Sequence, residues 1–129
     1  RRELSIVSGT YHLKGHTQDS GNGNITPVTA NITVNGFFFH GNVIIGKGTI
    51  HNNNCRGFWR NGYFGAEKGA WKMSFEEILP TNKGYFIYNG TLDFTGNVIT
   101  GTFGWSMFPK RNRGTFHFHV FKKLQHDDK

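Results

Sequence analysis

Residues 96–123 have the sequence GNVITGTFGWSMFPKRNRGTFHFHVFKK, and we predict the fold of the whole chain from this stretch. A glycine, one further residue and an aromatic residue occur in it twice, at Gly101-Thr102-Phe103 and at Gly114-Thr115-Phe116. After each of these rings, apolar residues continue at every second position. Because the side chains of a β-strand alternate between its two faces, this spacing predicts two strands that each bury one face. Residues 108–113 form the predicted hairpin tip between them.

The same glycine-x-aromatic pattern begins six predicted strands in all. The other four begin at Gly9-Thr10-Tyr11, Gly57-Phe58-Trp59, Gly69-Ala70-Trp71 and Gly84-Tyr85-Phe86. A glycine provides the positive φ that closes a hairpin or a bulge, so we expect these glycines at the starts of strands. Apolar runs at 28–34, 37–40 and 43–50 predict further strands, which brings the total to eight or nine.

Large rings recur on one side of these strands, and polar residues on the other. Such one-sided alternation is typical of antiparallel sheets. A meander of eight strands with short connections can close on itself, which removes its exposed edges. We therefore predict an all-β fold, an antiparallel up-and-down meander of about eight strands that closes into a small β-barrel. The side chains predicted to face its interior are Tyr11, Trp59, Trp71, Phe75, Phe86, Tyr88, Phe94, Phe103, Trp105, Phe116 and Phe118.

Length and composition predict one domain. With 129 residues the chain is long enough for a single core, and we assign residues 1–129 to one barrel domain with a polar loop at 17–27 and a tail at 124–129. No run approaches the roughly 18 apolar residues of a membrane-spanning helix, so we expect no membrane span. Cys55 is the only cysteine, which excludes an intrachain disulfide. The sequence leaves the cellular compartment and the oligomeric state open.

Three short motifs resemble strands of the avidin family. Ser8-Gly9-Thr10-Tyr11 resembles the first avidin strand, Ala70-Trp71-Lys72 its Trp-Lys pair, and Gly114-Thr115-Phe116 the Thr-Phe of the last strand. The resemblance implies an eight-stranded barrel of avidin or lipocalin type. At the position of the Asn that avidins place near biotin on the first strand, this chain has His12 or Leu13. The resemblance therefore implies the barrel and does not imply biotin binding.

The charge of the chain favours an acidic partner. Its formal net charge is +7 and its isoelectric point is near 9.8, and such a surface attracts acidic proteins and nucleic acids. The densest cluster is the predicted hairpin tip, where Phe108 stands beside Lys110, Arg111 and Arg113. We predict a non-catalytic binding or scaffold module that contacts a protein partner, with an acidic surface, through these residues and the outer face of the barrel.

Two other functions remain as alternatives. A small barrel can hold one small ligand, and an apolar or planar ligand would contact Trp59, Trp71, Trp105 and Tyr88 inside it. This carrier function requires an empty interior, whereas so many large rings favour a filled one. The third function is nucleic-acid binding, because the positive charge and the exposed aromatic residues are the features that bind phosphates and stack bases.

The sequence does not favour catalysis or a metal site. Glu76 and Glu77 are adjacent, so a strand would point them to opposite faces, and we expect neither an enzyme nor a cofactor. His117 and His119 share one face of the last strand, and barrel closure would bring His12 beside them. This spacing occurs in metal sites, but the face is the solvent side and holds no fixed acidic ligand. Surface histidines are therefore the favoured interpretation.

Overall fold

The chain forms eight β-strands in the computed structural model, which describes residues 8–46, 55–68, 70–80, 83–93, 97–108 and 112–121. No helix occurs among these residues. In chain order the strands are β1 Gly9–Asp19, β2 Ile25–Asn35, β3 Phe38–Ile45, β4 Cys55–Glu67, β5 Ala70–Ile78, β6 Phe86–Asp93, β7 Val98–Trp105 and β8 Asn112–Phe121.

Consecutive strands pair antiparallel, and the last strand pairs with the first. β8 lies against β1 from His12, opposite Phe121, to Asp19, opposite Gly114. The meander is thereby a closed barrel, which confirms the predicted fold. A closed barrel pairs both sides of every strand and leaves no sheet edge exposed.

The connection between β1 and β2 is shorter than the predicted loop at 17–27. Thr17 pairs with Thr26, and Gln18 with Ile25, so both ends of the predicted loop belong to strands. The connection is residues 20–24, and Asp19 stabilises it because Asp19 Oδ1 accepts hydrogen bonds from the backbone N–H of Gly21 at 2.7 Å and of Asn22 at 3.2 Å. The prediction was wrong because outward polar residues on a strand resemble a polar loop in the sequence.

The two strands predicted at 37–40 and 43–50 form one strand in the structure. β3 runs without a break from Phe38 to Ile45, and its pairing with β4 shifts register between Phe39 and Gly41. Residues 47–50 lie outside the described part of the chain. The count is therefore eight strands.

Three of the glycines that were predicted at strand starts lie inside strands. These are Gly57 in β4, Gly101 in β7 and Gly114 in β8. A Cβ atom on Gly101 would overlap the carbonyl oxygen of Asn89 on the neighbouring strand. These glycines allow close approach of backbones in a narrow barrel. At the start of β1 and just before β6, by contrast, Gly9 and Gly84 do have a positive φ.

The interior is filled by the predicted rings. Trp59, Trp71, Phe75, Tyr88, Phe116 and Phe118 are all buried, which confirms the predicted faces of β4, β5, β6 and β8. Phe75 lies at the centre, with its ring centroid 4.3 Å from that of Trp59 and 4.6 Å from that of Tyr88. Trp105 is only half-buried, at the end of β7, where its ring lies 4.7 Å from that of Phe86. The predicted core residue Phe94 is outside the described residues.

The difference between Trp59 and Trp105 gives a stability prediction. Trp59→Ala should lower the free energy of unfolding by about 3–5 kcal/mol, because it removes a fully buried ring from a packed core. Trp105→Ala should cost less, because part of the ring is already in water. Urea denaturation followed by far-UV circular dichroism measures both losses. Equal losses would contradict the difference in burial.

Candidate functional site

The barrel interior offers no described cavity for a ligand. Trp59, Trp71 and Tyr88, which the carrier function would use, are at most 2% exposed and pack in the core. Three recesses lined by described residues, of about 480, 550 and 580 Å³, open on the outer surface of β1–β6. The arrangement of these rings therefore gives them a structural role.

One carboxyl group is buried among these rings. Glu77 is 2% exposed and accepts a hydrogen bond of 2.9 Å from Trp59 Nε1. The hydroxyl of Tyr88 lies 3.2 Å from both carboxylate oxygens. Burial raises the pKa of Glu77 above its usual value near 4.5, and the hydrogen bonds from Trp59 and Tyr88 oppose this rise only in part. Burial and the nearby Glu77 carboxylate raise the pKa of Tyr88 well above its usual value.

Glu77 was not among the side chains predicted to face the interior. The alternation of Trp71, Met73 and Phe75 on β5, continued by one step, places Glu77 inside, so the signal was present. Glu77 lines none of the three outer recesses. Its geometry fits a hydrogen-bond acceptor for two buried donors, which is a structural role.

Exposed aromatic residues gather on the outer surface of β3 and β4. Phe38 is 62% exposed, Phe58 58% and Tyr63 47%. The rings of Phe38 and Tyr63, which are opposite each other in the register, have centroids 5.6 Å apart. Arg60 lies between Phe58 and Tyr63 on β4, and we call these four residues the aromatic face. Trp59 was predicted to face the interior, and the alternation along β4 accordingly places its neighbours Phe58 and Arg60 on the outside.

The aromatic face is nearly neutral. Arg60 Nε donates to Glu76 Oε1 at 2.9 Å, and its guanidinium lies 5.4 Å from the centroid of the Tyr85 ring. Next to it on β5, Lys72 pairs with Glu67 at 3.9 Å. Arg56 has no carboxylate within 4 Å among the residues that the structure describes. Arg56 can therefore accept a new acidic partner.

Most of the net positive charge lies outside the described residues. The described residues include seven basic and five acidic side chains, whereas the whole chain has 15 basic and 8 acidic ones. The basic residues are Lys14, Arg56, Arg60, Lys68, Lys72, Lys83 and Arg113, and the acidic ones are Asp19, Glu67, Glu76, Glu77 and Asp93. The described barrel thus contributes about two of the seven positive charges.

The predicted hairpin tip is described only in part. Phe108 is 60% exposed, while Lys110 and Arg111 lie outside the described residues. Arg113 belongs to β8 rather than to the tip, and its Nε lies 3.5 Å from Asp19 Oδ2 on β1. The Arg113 guanidinium also lies 6.0 Å from the centroid of the Phe86 ring. Of the three charges assigned to the tip, one is therefore partly neutralised by the barrel wall.

The histidines that were considered as metal ligands lie on β1 and β8, which pair with each other. The register places His16, and not His12, opposite His117, and these two rings are stacked with centroids 5.7 Å apart. The ring of His119 is 5.3 Å from that of His117, while His12 stacks on Phe121 at 5.9 Å. No group of three or more His, Cys, Asp or Glu side chains that could hold a metal ion occurs in the described segments.

Searches against protein-family models, curated proteins and solved structures find no match. The resemblance to the avidin family therefore depends on the three short motifs of the sequence alone. Where the structure describes the chain, no helix is long and apolar enough to cross a membrane.

Glu77 predicts a pH dependence of stability. Because its pKa is raised in the folded state, the folded barrel binds this proton more tightly than the unfolded chain does. The resulting stabilisation is complete below the usual pKa near 4.5 and is lost as the pH rises through the raised pKa. Glu77→Gln should therefore gain stability relative to the natural chain as the pH rises from 4 to 8. Urea denaturation across this range measures the difference, with exposed Glu67→Gln as the control. A constant difference would show that Glu77 does not titrate differently on folding.

Asp19 predicts the opposite pH dependence. The backbone N–H of Gly21 above all lowers the pKa of Asp19 below its usual 3.8. Burial opposes this lowering, and Asn22 and Arg113 add smaller lowering effects of their own. Its stabilisation is therefore present above that value and is lost as the pH falls through the lowered pKa. Asp19→Ala should cost about 1 kcal/mol at pH 7 and less at pH 3, measured by urea denaturation. Asp19→Asn keeps an acceptor for the N–H of Gly21, so it should lower the free energy of unfolding at pH 7 by less than Asp19→Ala does. Equal losses for the two variants would show that the ion pair with Arg113, and not the hydrogen bond from Gly21, provides the stabilisation.

Proposed function

We propose that this chain is a non-catalytic binding or scaffold module, which docks a protein partner with an acidic surface through the aromatic face. The observation that carries this proposal is the exposure of Phe38, Phe58 and Tyr63 to 47–62% on two paired strands. Large apolar side chains clustered on a surface are typical of interaction sites. Aromatic residues and arginine are also the residues that contribute most binding energy in protein interfaces.

The barrel supports a preorganised surface. β4 pairs on both sides, with β3 and with β5, so the backbone beneath the exposed rings is held in place. Rings on a rigid strand lose little conformational entropy on binding, which favours affinity. The net charge of +7 adds attraction between the chain and an acidic partner at long range.

A protein partner fits this surface better than a nucleic acid does. Binding to a phosphate backbone depends on several cations that are free to contact phosphates. On the aromatic face, Arg60 is already paired with Glu76. Beside this face, Lys72 is paired with Glu67. The exposed rings thus stand among balanced charges, which suits a protein surface of mixed composition. The filled interior likewise favours the outer surface over the carrier function.

Site-specific photocrosslinking tests the proposal. Benzoylphenylalanine replaces Phe38, Phe58 or, on β8 at the opposite wall of the barrel, the similarly exposed Phe121. Positions 38 and 58 should crosslink the same protein, and position 121 should not. With that protein purified, Phe38→Ser and Phe58→Ser should each weaken binding at least tenfold, about 1.4 kcal/mol or more, and Phe121→Ser should not.

Two results would contradict the proposed function. One is crosslinking at position 121 that equals crosslinking at positions 38 and 58. The other is a crosslinked product that nuclease digestion removes, which would assign the aromatic face to nucleic acid.

A further inference from the structure

Four outward side chains form a row across the barrel wall, one from each of β2 to β5. Asn31 is opposite Asn42, Asn42 is opposite Phe58, and Phe58 is opposite Ile78. Neighbouring strands are about 4.8 Å apart, so the row spans roughly 14 Å. His12 holds one end of it, because its Nδ1 donates to Asn31 Oδ1 over 2.8 Å. We call these four residues the Asn-Phe row.

A recess lies on each side of the Asn-Phe row, and all four row residues line both. The first recess, of about 550 Å³, extends from the row to Arg56, Ile44 and Pro80. The second, of about 580 Å³, extends in the opposite direction to Thr33, His40 and Arg60. The row is therefore the common wall of two adjoining recesses.

The spacing of the recesses matches an extended peptide. Successive outward positions on one strand are about 7 Å apart, and so are the alternate side chains of any extended chain. A peptide that runs along β3 and β4 can therefore place side chains i and i+2 in the two recesses. Its backbone then passes over Asn42, whose amide has an acceptor oxygen and two donor hydrogens for a peptide C=O and N–H.

Because the barrel is closed, a side-chain amide has to supply the hydrogen bonds to the backbone of a bound peptide. Proteins commonly bind extended peptides by adding them as a strand to a sheet edge. The β1–β8 pairing leaves no edge in this barrel, so side chains must supply the hydrogen bonds to a peptide backbone. Asn42, exposed at the centre of the row, is placed to do this.

The two recesses differ in charge. In the first, Arg56 has no carboxylate partner among the described residues, and its planar guanidinium can bind an incoming carboxylate through two hydrogen bonds. In the second, Arg60 already shares Glu76 Oε1 at 2.9 Å. The first recess therefore selects an acidic side chain, and the second an uncharged one.

We propose that the two recesses bind an extended acidic segment of the partner, with Asp or Glu in the first recess and an uncharged side chain two residues away in the second. This inference rests on the proposed function and specifies the kind of segment that the partner contributes. Phe58 belongs to both the aromatic face and the row, whereas Phe38 and Tyr63 contact the partner outside the recesses.

A phage-displayed library of random ten-residue peptides, selected on the whole chain, tests this proposal. Enriched peptides should carry Asp or Glu two positions from an uncharged residue. In fluorescence anisotropy with a labelled enriched peptide, Asn42→Ala and Arg56→Gln should each raise Kd at least tenfold. Asn42→Asp should raise it further through repulsion of the acidic side chain. Asn35→Ala and Lys68→Gln, which change the same residue type or charge at exposed positions that line neither recess, should leave Kd unchanged.

The failures of this inference and of the proposed function are distinguishable. A library that yields no binder, or one that yields binders without acidic residues, overturns the inference. So does an unchanged Kd for Asn42→Ala and Arg56→Gln, even when Phe38→Ser still abolishes binding of the purified partner. If a heparin-derived tetrasaccharide shifts the amide resonances of the Asn-Phe row and no peptide does, the recesses bind a carbohydrate and the inference is wrong.

Discussion

The pairing of β8 with β1 is the constraint on which the rest of this structure depends. It closes the sheet, so that each strand has a neighbour on both sides. Closure with only eight strands makes the barrel narrow, and backbones approach so closely that a Cβ on Gly15 or Gly114 would overlap a carbonyl oxygen across the β1–β8 seam. The same closure removes strand addition as a way to bind partners. The proposed function accordingly uses side chains on the outer wall.

A narrow barrel filled with aromatic rings also explains why the carboxyl group of Glu77 is buried. Trp59 and Tyr88 each bring a polar hydrogen into the core, and a buried donor without an acceptor costs about 1–3 kcal/mol. Glu77 accepts from both. An apolar residue in its place would leave two donors unsatisfied. The hydrogen bonds from Trp59 and Tyr88 thus offset part of the cost of burying an ionisable group.

The sequence predicted the features that depend on alternation within a strand. Strand type, the buried faces of β4, β5, β6 and β8, and the outward Phe58 and Arg60 all follow from a period of two. Features that depend on which residues meet across strands were missed. The Asn-Phe row needs the register of four strands, and a bulge in β4 between Arg60 and Tyr63 shifts the pairing of β4 with both β3 and β5. The ion pair of Arg113 with Asp19 depends on the register between β8 and β1, and alternation within a strand does not predict that register.

The roles of the glycines show the same limit. A glycine that closes a turn and a glycine that admits a neighbouring backbone are identical in the sequence, so Gly84 was assigned correctly and Gly101 was not. The first needs a positive φ, which is a local property. The second is required because the carbonyl oxygen of Asn89 on β6 lies close to Gly101, and this proximity is a property of the whole sheet.

The irregularity in β4 connects this fold to its proposed binding surface. Arg60 and Asn61 are both exposed, and Asn61 has a φ of 55°, a left-handed conformation that asparagine tolerates. Glu76 holds the distortion, because its Oε1 accepts from Arg60 Nε at 2.9 Å and from Asn61 Nδ2 at 3.1 Å. Bulges of this kind often redirect side chains beside functional sites. Here the bulge separates Phe58 from the Tyr63 pair and neutralises Arg60, so that Arg56 is left as the cation available to an acidic segment.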